Sequence, residues 1–156
     1  MNHHYFMSKA IDLAIQNMRA GKGGPFAALV VRDNVIIAEG ANQVTFRNDP
    51  TAHAEIVAIR EACRKLRSFQ LKRCVVYTNC EPCPMCLGAI YWARPAKVYF
   101  AATRDDAAKV GFDDAYIYEQ SQLPIARRAI AMEQLMRTEA LAAFREWDSK
   151  PDKSGY

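Results

Sequence analysis

Phe6, Ala10, Leu13, Ala14, Asn17 and Met18 recur every three to four positions, the spacing that lines one face of a helix. The pattern stops at Gly21, with Gly23, Gly24 and Pro25 behind it, so residues 4–20 are predicted to be helical. Two β-rich runs follow, 26–32 and 35–40, and Asp33-Asn34 between them suits a hairpin turn even without the glycine of an Asn-Gly pair. Residues 41–50 are polar and end in Asn48-Asp49-Pro50, a helix entry signal that predicts a helix over 51–66 with proline in its first turn. Ala52, Ile56, Ile59, Cys63 and Leu66 line one side of that helix, and Arg60, Glu61, Arg64 and Lys65 the other.

Downstream, Cys74 to Tyr77 reads as a buried strand, Pro84 to Ala93 as a helix and Lys97 to Ala101 as a strand. Alternating helices and strands, with the last two strands joined through a helix and therefore parallel, predict an α/β fold. The expected architecture is a three-layer α/β/α sandwich around a mixed, about five-stranded sheet, in a single domain over residues 1–156. After residue 102 the pattern weakens. Arg104 to Val110 reads as helical, 112–118 is acidic and aromatic, 130–136 suits a short fifth strand or the start of the last helix, and 138–148 reads as helix. On composition the tail from Asp148 to Gly155 is expected to fray.

A chain of 156 residues with 51% apolar and 24% charged residues belongs among globular proteins and not disordered ones. The longest apolar run, Phe26 to Val31, is six residues, against the ~18 that a membrane span requires. Lys9, Asp12 and Gln16 interrupt the first twenty residues, so no secretory core is read there and a cytoplasmic location is expected. The net charge of +4 is scattered apart from Arg127-Arg128, which fits a solvated surface better than a track for a polyanion.

Chemistry concentrates in two short stretches, each opening a predicted helix: His53-Ala54-Glu55 and Pro82-Cys83-Pro84-Met85-Cys86. Cys83 and Cys86, three apart in a first turn begun by Pro84, can share a metal, and His53 supplies a third ligand. Three protein ligands leave the fourth tetrahedral position of Zn²⁺ to water, the arrangement of catalytic sites, where water ionises near neutral pH. Glu55 converges with His53 only if both sit at the helix start, where it is suited to moving a proton. Two other readings use the same residues: a structural site of His53, Cys80, Cys83 and Cys86, and a redox Cys-x-x-Cys pair. Neither has a use for Glu55. Cys63 and Cys74 read as core residues.

His-x-Glu with Pro-Cys-x-x-Cys is the signature of zinc nucleobase deaminases, and the chain resembles the cytidine deaminase superfamily over roughly its first hundred residues. Within it the chain is similar to the bacterial guanine deaminases, through Gly23-Gly24-Pro25-Phe26, Asn42, Asp49 to Glu55, Thr78 to Ala93, Gly111-Phe112-Asp113-Asp114 and a terminal Tyr156. The resemblance implies that His53, Cys83 and Cys86 bind zinc and that Glu55 shuttles protons in the hydrolysis of guanine to xanthine and ammonia. It further implies Asp114 as a second catalytic carboxylate, against the alternative of a cap or surface acid. Asn42, a turn residue or a reader of the purine edge on its own chemistry, falls by resemblance among the substrate-binding residues with Phe26, Ala54, Trp92 and Tyr156. A homodimer is implied in which the C-terminal segment is exchanged and closes the partner's site. Guanosine deamination, editing of adenosine in tRNA and a zinc-stabilised interaction module are the competing expectations.

Overall fold

The computed structural model describes residues 2–156, which divide into two compact units, residues up to Asp114 and Ala115–Tyr156. The first unit opens with α1 (His3–Arg19), whose apolar face buries Phe6, Ala10 and Ala14 together with Asn17. Strands β1 (Ala27–Arg32) and β2 (Val35–Ala41) form the expected antiparallel hairpin. Asp33 and Asn34 both take left-handed backbone angles, φ 51° and 65°, which turns the chain in the sense that matches strand twist. After a short α2 (Val44–Arg47) come α3 (Ala54–Leu66), β3 (Val75–Cys80), α4 (Pro84–Ala93), β4 (Lys97–Ala102) and α5 (Arg104–Ala108).

The sheet runs β2-β1-β3-β4, with β3 antiparallel to β1 and parallel to β4. Alternation along the strands divides the core in two, as the two-residue period of a pleated strand requires. Ala28, Val30 and Val76 pack with Ala54, Ala58 and Ala62 of α3 on one face. On the other, Leu29, Val31 and Tyr77 pack with Phe6 and Ala10 of α1. His3 Nδ1 lies 2.7 Å from the Tyr77 hydroxyl and pins the start of α1 to the sheet. The alanine-rich faces let α3 approach closely, as at Gly40 of β2. A Cβ there would run into the carbonyl oxygen of Ala54 and stand 2.5 Å from the nitrogen of Ala58.

Two expectations need correction. The sheet has four strands among the described residues; Ile130 to Met136 form neither a fifth strand nor the first turn of the last helix, being an exposed irregular stretch before Arg137. Nor does the helix predicted at 51 begin there. Asp49 Oδ1 accepts from the backbone N–H of Thr51 at 2.8 Å and from its hydroxyl at 2.7 Å, a local turn that competes with helical bonding. Helix α3 therefore starts at Ala54 with His53 as its N-cap.

The second unit holds α6 (Ala115–Gln122), a 3-10 turn (Ile125–Arg127) and α7 (Arg137–Ser149). None of its residues is fully buried. The tail beyond α7 keeps some order, since Lys153 Nζ reaches Asp148 Oδ1 at 2.8 Å. No helix among the described residues is long and apolar enough to cross a membrane.

Candidate active site

Helices α3 and α4 meet at their N-termini, because their N-cap residues, His53 and Cys83, are in contact. Both N-caps are extended (ψ 154° and 168°) and neither side chain caps its own helix, so the imidazole and the thiol are left to face each other. Pro84 starts α4 without needing its missing N–H and sets Cys86 one turn in, on the same side. His53 Nδ1 lies 3.5 Å from both Cys83 Sγ and Cys86 Sγ, and all three ligand atoms fall within 4.8 Å of one another. Tetrahedral Zn²⁺, with Zn–N near 2.0 Å and Zn–S near 2.3 Å, separates an N and an S ligand by about 3.5 Å. The donor set therefore fits zinc in both chemistry and spacing.

Cys80 stands apart. Its thiol donates to the Thr103 carbonyl at 3.7 Å, and it is absent from the metal-binding group, which removes the four-ligand structural alternative. Burial pushes its thiol up to about 11. Cys83 is held down to about 4 by a hydrogen bond from Cys86, with His53 assisting, while Cys86 moves up because it keeps the proton that the pair shares. The exposed N–H groups of the two helix ends favour thiolate at this point.

Glu55, on the first turn of α3, is 6% exposed, and its Oε2 lies 3.4 Å from Cys86 Sγ. Burial raises its carboxyl above the ordinary range, and the Cys83 thiolate adds to the effect. Glu55 thus stands beside the ligands but outside their set, with its protonated form favoured relative to a free glutamate. Asp114 is partly buried at the end of the first unit. Burial raises its carboxyl too, and the charge of Cys83 acts on it, which puts this second acid within electrostatic reach of the same point.

Phe26 and Asn42 are joined directly, Asn42 N–H donating to the Phe26 carbonyl at 2.9 Å. The Asn42 Oδ1 accepts from the N–H groups of Gly24 and Val44, each at 3.3 Å. That assigns the oxygen end of the amide and leaves its NH₂ as the donor end. Phe26 meets Phe112 edge to face at 4.8 Å between ring centroids, fastening the segment that precedes Asp114. Ala54, fully buried, follows the N-cap. Trp92 is 62% exposed near the far end of α4, roughly 13 Å along the helix axis from Cys83 at 1.5 Å per residue. Tyr156, 75% exposed, ends the second unit.

Sequence reasoning passed over Asn17 and Asn79, whose side chains bond to the backbone carrying Phe26 and Asn42. The available signal was a polar residue within an apolar stripe on α1.

The α/β sandwich with a mixed sheet holds a His-Cys-Cys group between two helix N-termini, a three-ligand zinc site of the catalytic kind, and its His-x-Glu and Pro-Cys-x-x-Cys motifs place it in the class of zinc-dependent hydrolases of amino-substituted bases. The chain belongs to the cytidine and deoxycytidylate deaminase family, whose zinc-binding region matches residues 1–102. It is 53% identical over 156 residues to guanine deaminase from Bacillus subtilis, covering 100% of both chains. The X-ray structure of guanine deaminase from that organism superposes with a TM-score of 0.97 at 52% identity, covering 100% of this chain and 99% of the other. A tRNA-specific adenosine deaminase from Aquifex aeolicus is 40% identical over 102 residues, 65% of this chain and 67% of its own.

Proposed function

We infer that this chain is a hydrolytic guanine deaminase, converting guanine and water to xanthine and ammonia. The observation that carries the reading is the extent of the likeness: similarity to guanine deaminase runs through all 156 residues, whereas similarity to the tRNA enzyme spans 102.

His53, Cys83 and Cys86 would hold the Zn²⁺, which supplies a fourth position where water becomes acidic enough to ionise near neutral pH. Glu55 accepts the proton that the attacking water sheds. It delivers that proton to the ring nitrogen beside the amine-bearing carbon, then carries the one that leaves with the amine as ammonia. Its buried setting suits it to the task, since burial raises its carboxyl above the ordinary range and favours holding the proton between the two transfers. The Asn42 NH₂ donates to an acceptor on the purine edge, and Phe26 offers its ring face for stacking. The Ala54 backbone at the start of α3 lines the same spot. Asp114 accepts from guanine N–H groups or shares in proton transfer.

The active unit in this reading is a cytoplasmic homodimer that exchanges C-terminal segments. Ile117, Ile125, Ile130, Leu135, Phe144 and Trp147 are all exposed in the second unit, more apolar surface than a solvated tail tolerates. Exposed Leu87, Tyr91 and Trp92 on α4 belong to a face that a second copy covers, and the partner subunit's Tyr156 closes the pocket.

Ammonia release by zinc-loaded protein tests the activity, with guanine, guanosine, cytosine, cytidine and a tRNA anticodon stem-loop compared beside Glu55→Gln. Turnover of guanine that the substitution abolishes is the expected result. Preference for the stem-loop adenosine, or silence on every base, would overturn it.

A further inference from the structure

The segment Gly23 to Ala27 carries Phe26 and leans on Asn42, and side chains of α1 and β3 bond to its backbone and to that of Asn42. Asn79 of β3 spans the backbone on both sides of Phe26: its Oδ1 accepts from the Ala27 N–H at 2.8 Å and its Nδ2 donates to the Pro25 carbonyl at 2.9 Å. Phe26 is held between two fixed peptide groups. Its carbonyl then accepts from the Asn42 N–H at 2.9 Å, which ties the ring's backbone to the backbone of the purine reader. Asn17, buried on α1, donates from Nδ2 to the Asn42 carbonyl at 2.8 Å. Gly23 closes the frame, because a Cβ there would overlap the Asn42 carbonyl oxygen and stand 2.9 Å from Oδ1.

We propose that Asn17 and Asn79 are positioning residues, forming a polar brace that presents the Phe26 ring and the Asn42 amide to the base in one fixed geometry. The proposal rests on the reading of Phe26 and Asn42 as substrate contacts. A carboxamide is the side chain suited to the task at position 79, since it donates and accepts across a single residue. At Asn17 the need is a buried donor for a backbone carbonyl that has no strand partner. Because the brace acts on ground-state and transition-state binding alike, it governs KM more than kcat.

The test is steady-state guanine kinetics on the full, zinc-loaded chain, with zinc content measured for every variant. Asn17→Leu and Asn79→Leu are expected to raise KM by about tenfold each with kcat changed by less than about threefold. Asn79→Asp, which keeps the acceptor for Ala27 and loses the donor to Pro25, falls between wild type and the leucine variant. If Asn17→Leu does not fold, Asn17→Asp keeps the volume and removes the donor. Two double variants read the route of action: Asn17→Leu with Asn42→Ala, and Asn79→Leu with Phe26→Ala, should each be no worse than the Asn42 or Phe26 variant alone, within about twofold. Multiplicative losses in both pairs, or an unchanged KM in folded, zinc-loaded single variants, would overturn the brace. Amide hydrogen exchange judges it without substrate, as Asn79→Leu should speed exchange at Ala27 by at least about tenfold, and unchanged protection there rejects it. A wild-type chain inactive on guanine would instead defeat the functional reading and leave the exchange result to decide the brace.

Discussion

Replacing Gly40 with alanine adds one methyl group where β2 meets the start of α3. The new Cβ would run into the Ala54 carbonyl oxygen, 2.5 Å from the Ala58 nitrogen and 2.9 Å from the Ala58 Cβ. Two of these three atoms are helix backbone, so no rotamer change relieves the contact, and van der Waals separation near 3.4 Å requires α3 to retreat by about 1 Å. Overpacking of this kind costs about 1–3 kcal/mol, and for a chain of this size each kcal/mol lowers Tm by about 2–4 °C. A fall of roughly 3–10 °C is expected. The functional loss should exceed what stability explains, because α3 carries His53 at its N-cap and Glu55 in its first turn. A misplacement of about 1 Å in a catalytic group costs on the order of a hundredfold in rate. Moving His53 away from thiols now 3.5 Å distant should also weaken zinc retention. Calorimetry of the zinc-loaded variant, its kcat on guanine and its metal content during dialysis against a weak chelator measure the three effects. A variant that melts within 1 °C of wild type and keeps full kcat would refute the argument that β2 sets the position of α3.

Glu55→Gln should lower kcat by about 10²–10⁴ with metal content unchanged, as Glu55 lies outside the ligand group; loss of zinc in this variant would contradict that assignment. Its folded pKa is raised by burial, so ionisation opposes folding once pH exceeds the unfolded value, and the zinc-free variant should melt no lower than zinc-free wild type at pH 8. Chelated protein tests the thiol pair, since with Cys83 held at about 4 and Cys80 at about 11, iodoacetamide should label Cys83 at a rate flat from about pH 6 to 9 and leave Cys80 untouched. Labelling that climbs through the pH range of an ordinary thiol would refute the shared proton. A chain ending at Asp148 should bind zinc normally yet lose most of its turnover; full activity in that chain would sink the exchanged-segment dimer.

The zinc-ligand group, and the position of Glu55 beside it, were legible because their constraint is local. A His-x-Glu at one helix start and a Cys-x-x-Cys at another are spacings of a few residues, and the helix N-terminus that makes them converge leaves its own mark in Pro84. The hairpin and the parallel β3–β4 pair were legible for the same reason, their period and turn residues lying within short windows. What escaped the sequence depends on competition between local bonds. Asn48-Asp49-Pro50 looks like a helix entry, but Asp49 spends its carboxylate on Thr51, and the delay to Ala54 is what makes His53 an N-cap and not a mid-turn residue. Residues 130–136 form neither a fifth strand nor the start of the last helix, and Ile130, Met132, Leu135 and Met136 are all exposed in the single chain. Apolar composition reports that surface is to be covered, and it does not say by what.

Asn17 shows the opposite case. Its helical spacing places it in the buried stripe of α1, where an amide left unpaired costs about 1–3 kcal/mol. A buried asparagine in an apolar face is therefore a demand for a partner somewhere in the fold. The partner, the Asn42 carbonyl, is 25 residues away across a glycine-rich turn, and no window that reads helix or strand period spans that distance. Motif and periodicity locate the atoms that perform chemistry, because those are bound to element starts. Residues such as Asn17 and Asn79, which bond to the backbone of Asn42 and of the residues flanking Phe26, are bound only by tertiary packing, and they become visible once each buried polar group is asked where its hydrogen bond goes.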